Sequence, residues 1–214
     1  ALFHGPLSDA LGRRPVIIWG LGLYTLGSLA CVLAPNFISL LAFRALQGAT
    51  AGAGMVVGRA IVRDLYEGPQ AQRLMSLVTL IFGVAPALAP VIGGWIHVAL
   101  GWRAVFAFLS LFGLVLVIVS HLKLPETHAP EHRVPFSLRE LTTAAYRVIS
   151  DRQFLLLALA ARCNLLGAFC YISAAPALIL DHWQLGETQF IWLFLPIIAG
   201  FTLGGRRLDH TTYR

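Results

Sequence analysis

Six long apolar runs, at residues 16–34, 37–58, 74–96, 104–122, 154–180 and 189–205, constrain this chain more than anything else in it. Each comes close to the ~20 residues that a helix rising 1.5 Å per residue needs to cross a ~30 Å hydrocarbon layer, the last only by borrowing a turn from its loop. Inside lipid every backbone amide must find its partner within the segment, and none of the runs alternates as a barrel strand does. An all-α membrane protein with six transmembrane helices is therefore expected. The composition agrees: 57% of the 214 residues are hydrophobic and 12% charged, with a mean hydropathy of +0.75. A soluble domain has no such mix. The chain starts without methionine or signal peptide, and residues 1–4 read as the last turn of an earlier helix, so an excerpt of a longer protein is expected.

The net charge of +6 could point to nucleic acid, but the placement of the cations says otherwise. Thirteen of the sixteen Lys and Arg fall in alternate loops, beginning with Arg13 and Arg14 and continuing with Arg59, Arg63 and Arg73. The intervening loops hold only Arg103. By the positive-inside rule the rich side is cytoplasmic and the first complete helix runs outward. The bilayer is the expected partner, and nucleic acid is not.

Residues 123–152 form one long loop, opened by Pro125, Pro130 and Pro135 and turning helical at "SLRELTTAAYRVI". Ser137 and Glu140 fit a capping box, and Leu138, Leu141, Ala145 and Val148 share one face, as in a helix lying on the inner membrane surface. The loop separates four spans from two. The expected organisation is a helical bundle over 1–122, a cytoplasmic linker over 123–152 and the start of a second bundle over 153–214.

Several residues are expensive where they stand. Arg44 lies in the second span, in "RALQGATAGAGMVVGR", with Gln47 and Gly48 a turn later on the same side; an arginine at a lipid-facing helix centre costs about 2.5 to 3.5 kcal/mol on insertion scales. It is either tethered to a neighbouring helix or lines a transport path. Gly48, Gly52, Gly54 and Gly58 give small-xxx-small spacing for close packing. In the third span Pro86 and Pro90 each remove an amide, and Gly93 and Gly94 follow, which makes a kinked helix suited to rocking or sealing. Arg162 and Asn164 sit near mid-depth of the fifth span, where an interior face is expected; either a solute or the rest of a bundle could be their contact. His97 and His121 end helices, where snorkelling accounts for them. The three cysteines lie in apolar spans and read as packing groups. No metal-spaced cluster, phosphate loop or nucleophile elbow occurs, so neither a metal nor an enzyme is expected.

Four strings carry a family likeness. "GPLSDALGRRP" resembles the G-x-L-x-D-x-x-G-R-R-P signature between helices two and three of major facilitator superfamily transporters. "RALQG" resembles their fourth-helix R-x-x-Q-G, and "APALAPVIGGW" resembles the proline-glycine motif of their antiporters, with Ala89 where glycine usually precedes the central proline. "GRAIVRDLY" and "GWRAVFAF" are similar to the Bcr/CflA, bicyclomycin-resistance type, branch. The likeness implies a partial major facilitator fold, from the end of helix two to helix eight, with six helices out of twelve. It implies a conformational-switch loop built from Gly5, Asp9, Gly12, Arg13, Arg14 and Arg63, in which Gly5 and Gly12 bend the chain and Asp9 pairs with Arg13 or Arg63.

It further implies proton-coupled efflux of small amphipathic, drug-like compounds across the bacterial inner membrane by alternating access. Arg44, Gln47 and Gly48 would serve proton coupling, Pro86, Pro90, Gly93 and Gly94 the antiporter helix, and Arg162 and Asn164 the substrate cavity. Protons are a partner and the proton gradient the energy source, with no cofactor; a complete protein is expected to be monomeric. An importer or facilitator of sugars or metabolites, and a non-transporting receptor or assembly factor, remain as alternatives.

Overall fold

The structure is a computed structural model that describes residues 3–134, 136–178 and 183. Among these all regular structure is helical: α1 (His4–Leu11), α2 (Arg13–Val32), α3 (Phe37–Leu65), α4 (Gly68–Leu100), α5 (Trp102–Lys123), α6 (Leu138–Ser150) and α7 (Arg152–Pro176). A short 3-10 turn at Pro130–His132 sits in the loop before α6. Three helices, α2, α3 and α5, are long and apolar enough to span a membrane, and α4 makes a fourth if its bent halves count as one span. α7 occupies residues 154–176 of the fifth run, while residues 179–180 of it and the run at 189–205 lie outside the described residues.

The helix starts follow local chemistry. The Asn36 side chain accepts from the Ser39 amide at 2.9 Å while Ser39 Oγ accepts from the Asn36 amide at 3.3 Å, a reciprocal cap that turns the chain from α2 into α3. Asp151 caps α7 through the amides of Gln153 and Phe154. α6 begins after Ser137 as the sequence predicts; the side chain of Glu140, and with it the capping box, lies outside the described residues.

Two compact units emerge. The first comprises Ala1–Thr79 with Ala99–Phe136, the second Leu80–Val98 with Ser137–Arg214. The first half of the linker thus belongs with the α2, α3 and α5 bundle. In that first unit α2 is central, packed along both α3 and α5. Close approach is made by small residues: a methyl at Gly20 would stand 2.7 Å from Cβ of Ala53, and one at Gly113 would stand 2.5 Å from Oγ1 of Thr25. Three of the four small-xxx-small glycines of α3 do not do this work: Gly48, Gly54 and Gly58 have nothing within 4 Å of a would-be Cβ, and it is Ala53 and Val57 that α3 buries.

Burial is inverted relative to a soluble protein. Trp19, Leu33 and Leu122 each keep more than 70% of their surface exposed, while Ser8, Ser28, Gln47 and Arg13 are buried. Apolar outside and polar inside is the arrangement that a hydrocarbon solvent stabilises. The apolar core near the arginine-rich end is small: Val16 and Ile17 of α2 against Val57 and Ile61 of α3, with Leu124 packed on its edge.

Candidate functional site

The first candidate lies at the arginine-rich end of the first unit. The segment that the sequence presents as a bent turn is itself helical: α1 carries Gly5 and Pro6 in its first turn, where a missing amide costs no bond. Gly5 therefore does not bend the chain, contrary to expectation. The bend is at Gly12 alone, with φ at +101°, a region closed to residues with a Cβ. It reverses the chain into α2, whose first turn tolerates Pro15 for the same reason.

Gly12 delivers Arg13 into a converging set of acceptors. Its Nη1 donates to Ser8 Oγ at 2.7 Å and to the Asp9 carboxylate, and its Nε donates to Asp64 Oδ2 at 3.0 Å. The side chain of Arg13 is only 10% exposed, against 46% for Asp9 and 24% for Asp64. A nearly desolvated guanidinium is thus balanced by two carboxylates from different elements. Of the two partners expected for Asp9, the structure takes Arg13; among the described residues no ion pair reaches Arg63, which is exposed one position before Asp64 on α3. Arg14 reaches the other way and donates from Nη2 to the His121 carbonyl at 2.7 Å, closing the last turn of α5. Asp64 and Glu126, whose oxygen accepts from the Arg13 amide at 2.9 Å, belong to this cluster although the sequence does not announce them.

The second candidate is a polar thread through the helix bundle. Arg44 Nη1 donates to Gln47 Oε1 at 2.6 Å, Gln47 Nε2 donates to Ser28 Oγ at 2.6 Å, and Ser28 Oγ donates to the Tyr24 carbonyl at 2.8 Å. Ser28 and Gln47 are buried, and each of these three donors has its acceptor, so the thread is tolerated in a low-dielectric interior. Arg44 stands at its open end, its Cζ 5.7 Å from the ring centre of Phe106 on α5. The charge is therefore tethered and yet presented at the surface of the unit. Gly48, next in sequence to Gln47, faces open space.

α4 carries Pro86 and Pro90 in its Leu80–Val98 stretch, the part that belongs to the second unit, and its halves Gly68–Pro86 and Leu88–Leu100 meet at 41°. The predicted kink is present. Gly93 has nothing within 4 Å of a would-be Cβ. On α7 Arg162 is exposed, and the Asn164 side chain lies outside the described residues. No group of three or more His, Cys, Asp or Glu is placed to hold a metal ion among the described residues.

The Major Facilitator Superfamily profile matches residues 1–213. The chain is similar to the Uncharacterized MFS-type transporter YdgK of Bacillus subtilis, at 38% identity over 96% of this chain and 52% of that protein. It is similar to a Bicyclomycin resistance protein homolog of Haemophilus influenzae, at 31% identity over 91% of this chain and 49% of the other. A third relative, Multidrug resistance protein D of Escherichia coli, is 38% identical over 65% of this chain and 36% of its own length. The chain spans about half the length of the curated relatives it matches.

Proposed function

Because the chain belongs to the major facilitator superfamily, whose members are multi-pass membrane carriers, we propose that it serves proton-coupled export of small amphipathic compounds across the bacterial inner membrane. The names of two relatives, one for bicyclomycin resistance and one for multidrug resistance, support export of drug-like solutes. The observation that carries the coupling is Arg44, a cation two turns inside α3 held by Gln47, which is itself bonded to Ser28, so that its charge stays in place. A fixed guanidinium in low dielectric would stabilise the ionised form of an acid that another part of the full-length protein brings toward it, and so lower that acid's pKa. Proton release and solute entry are then linked, with the proton gradient as the energy source and no cofactor. The Arg13 cluster acts as the latch between alternating states, and the bent α4 as the element that seals or rocks.

The test uses the full-length protein in inverted membrane vesicles with an imposed pH gradient. Solute should accumulate against its gradient with a matching proton flux, and Arg44→Ala should abolish the coupling while leaving insertion normal. Flux in the opposite direction would mark an importer. Absence of any solute-dependent proton movement would mark a non-transporting receptor or assembly factor.

A further inference from the structure

The linker does not simply leave the first unit after α5. It folds back on the hinge and touches it at two places, and α3 at a third. Glu126 Oε1 accepts from the Arg13 backbone amide at 2.9 Å and from the His128 amide at 3.0 Å. The Val134 amide donates to the Asp9 carbonyl at 3.3 Å, and Thr127 Oγ1 donates to Asp64 Oδ2 at 3.2 Å. A Cβ at Gly12 would meet Glu126 Oε2 at 2.5 Å and Arg133 Nη2 at 3.0 Å, so both side chains close over the turn.

The first amides of a helix have no partner within it, and usually a residue just before the helix supplies one. α2 departs from that habit: Gly12 occupies its N-cap and has no side chain to offer. The cap comes instead from a carboxylate 113 residues further along. An anion at a helix N-terminus also complements the helix dipole. The group that fixes the start of α2 therefore rides on the segment that follows α5 within the same unit, and it fixes the residue whose side chain bridges Asp9 and Asp64.

We propose that Glu126 is a positioning residue for the conformational cycle: by capping α2 from the linker it holds the Gly12–Arg13 turn in the geometry that lets Arg13 bridge Asp9 and Asp64, and its release lets the bridge open. The inference rests on the transporter reading above for its functional half, and on the geometry alone for its structural half.

The experiment measures hydrogen–deuterium exchange of peptides covering residues 9–16 in the full-length protein, alongside solute flux. Glu126→Ala should speed exchange at the start of α2 about fivefold, the factor expected for a lost helix cap. It should also lower the maximal transport rate with little change in KM, and Glu126→Gln, which keeps an acceptor oxygen, should restore most of both. Should Glu126→Ala not accumulate, Glu126→Ser, polar but too short to reach the amide, is read in the same way. Unchanged exchange in a folded variant overturns the proposal. Faster exchange with wild-type transport overturns its functional half. A wild-type protein that moves no solute overturns the transporter reading instead, and the exchange result is unaffected by that.

Discussion

At the scale of single residues, Arg13 governs the cluster because it is nearly desolvated and its two partners are not equivalent. Asp9 is the more exposed, and an exposed pair is screened to about 0.2 to 1 kcal/mol. Asp64 is less exposed and also accepts from Thr127, so its removal should matter more. Asp9→Asn is expected to leave insertion intact and depress transport; Asp64→Asn is expected to depress it further. The double variant strands a buried guanidinium, which costs up to about 3 to 5 kcal/mol. Efflux assays at matched expression check the order, and equal rates for the two single variants would contradict it. The pairing of Asp9 with Arg13 was legible because both fall in one contiguous motif. Asp64 and Glu126 were not, since they approach Arg13 across 51 and 113 positions and no local pattern marks such a meeting. Arg63 stood out in sequence as a cation in the next loop, but the helical rotation of ~100° per residue turns its neighbour Asp64, and not Arg63, toward the hinge.

At the scale of elements, the helices that span were readable from run length, since the bilayer imposes one dimension on all of them. Two details escaped. Glycine and proline made residues 5–11 look like a turn, yet proline in a first helical turn and glycine in a short packed helix are both tolerated, and α1 forms. The glycines of α3 matched a packing motif, but spacing does not tell which side a helix shows its neighbour. The bend in α4 was legible, and its position assigns a cause. The break falls between Pro86 and Leu88, and a proline collides with the carbonyl four residues earlier, which for Pro90 is that of Pro86. Pro90→Ala should therefore straighten α4 more than Pro86→Ala does. The gain in helix stability is at most about 3 kcal/mol, and it should appear as a higher Tm in detergent together with slower turnover. If Pro86→Ala has the larger effect on both, the bend belongs to Pro86.

At the scale of the whole molecule, alternate loops share a side of the membrane, and the clusters at the two ends of the first unit are chemically distinct. One end gathers Arg13, Arg14, Asp64 and Glu126; the other has Arg103 stacked on Trp102, 4.4 Å from its ring centre, beside the Asn36 cap. The positive-inside rule makes the first end cytoplasmic. In a variant with Cys31, Cys163 and Cys170 replaced, Glu131→Cys should react with a membrane-impermeant thiol reagent only in inverted vesicles, and Pro35→Cys only in intact cells. The reverse pattern would invert the topology. Sequence alone could order the spans, since their length follows from the solvent, and the orientation it implies is what the thiol labelling tests. It could not say that residues 124–134 return to the hinge, because that return is decided by tertiary contacts.

The borrowed carboxylate on α2 has a bearing on how such a chain is made. Ribosomes add about 5 to 20 residues per second, so the amide of Arg13 waits roughly 6 to 23 s, on that same scale, before Glu126 has even been synthesised. Through that interval the four apolar segments at residues 16–34, 37–58, 74–96 and 104–122 are made while the cap is unfinished. The carboxylate that completes the cap is made only after α2, α3, α4 and α5, so the start of α2 is fixed later than the helices that pack beside it.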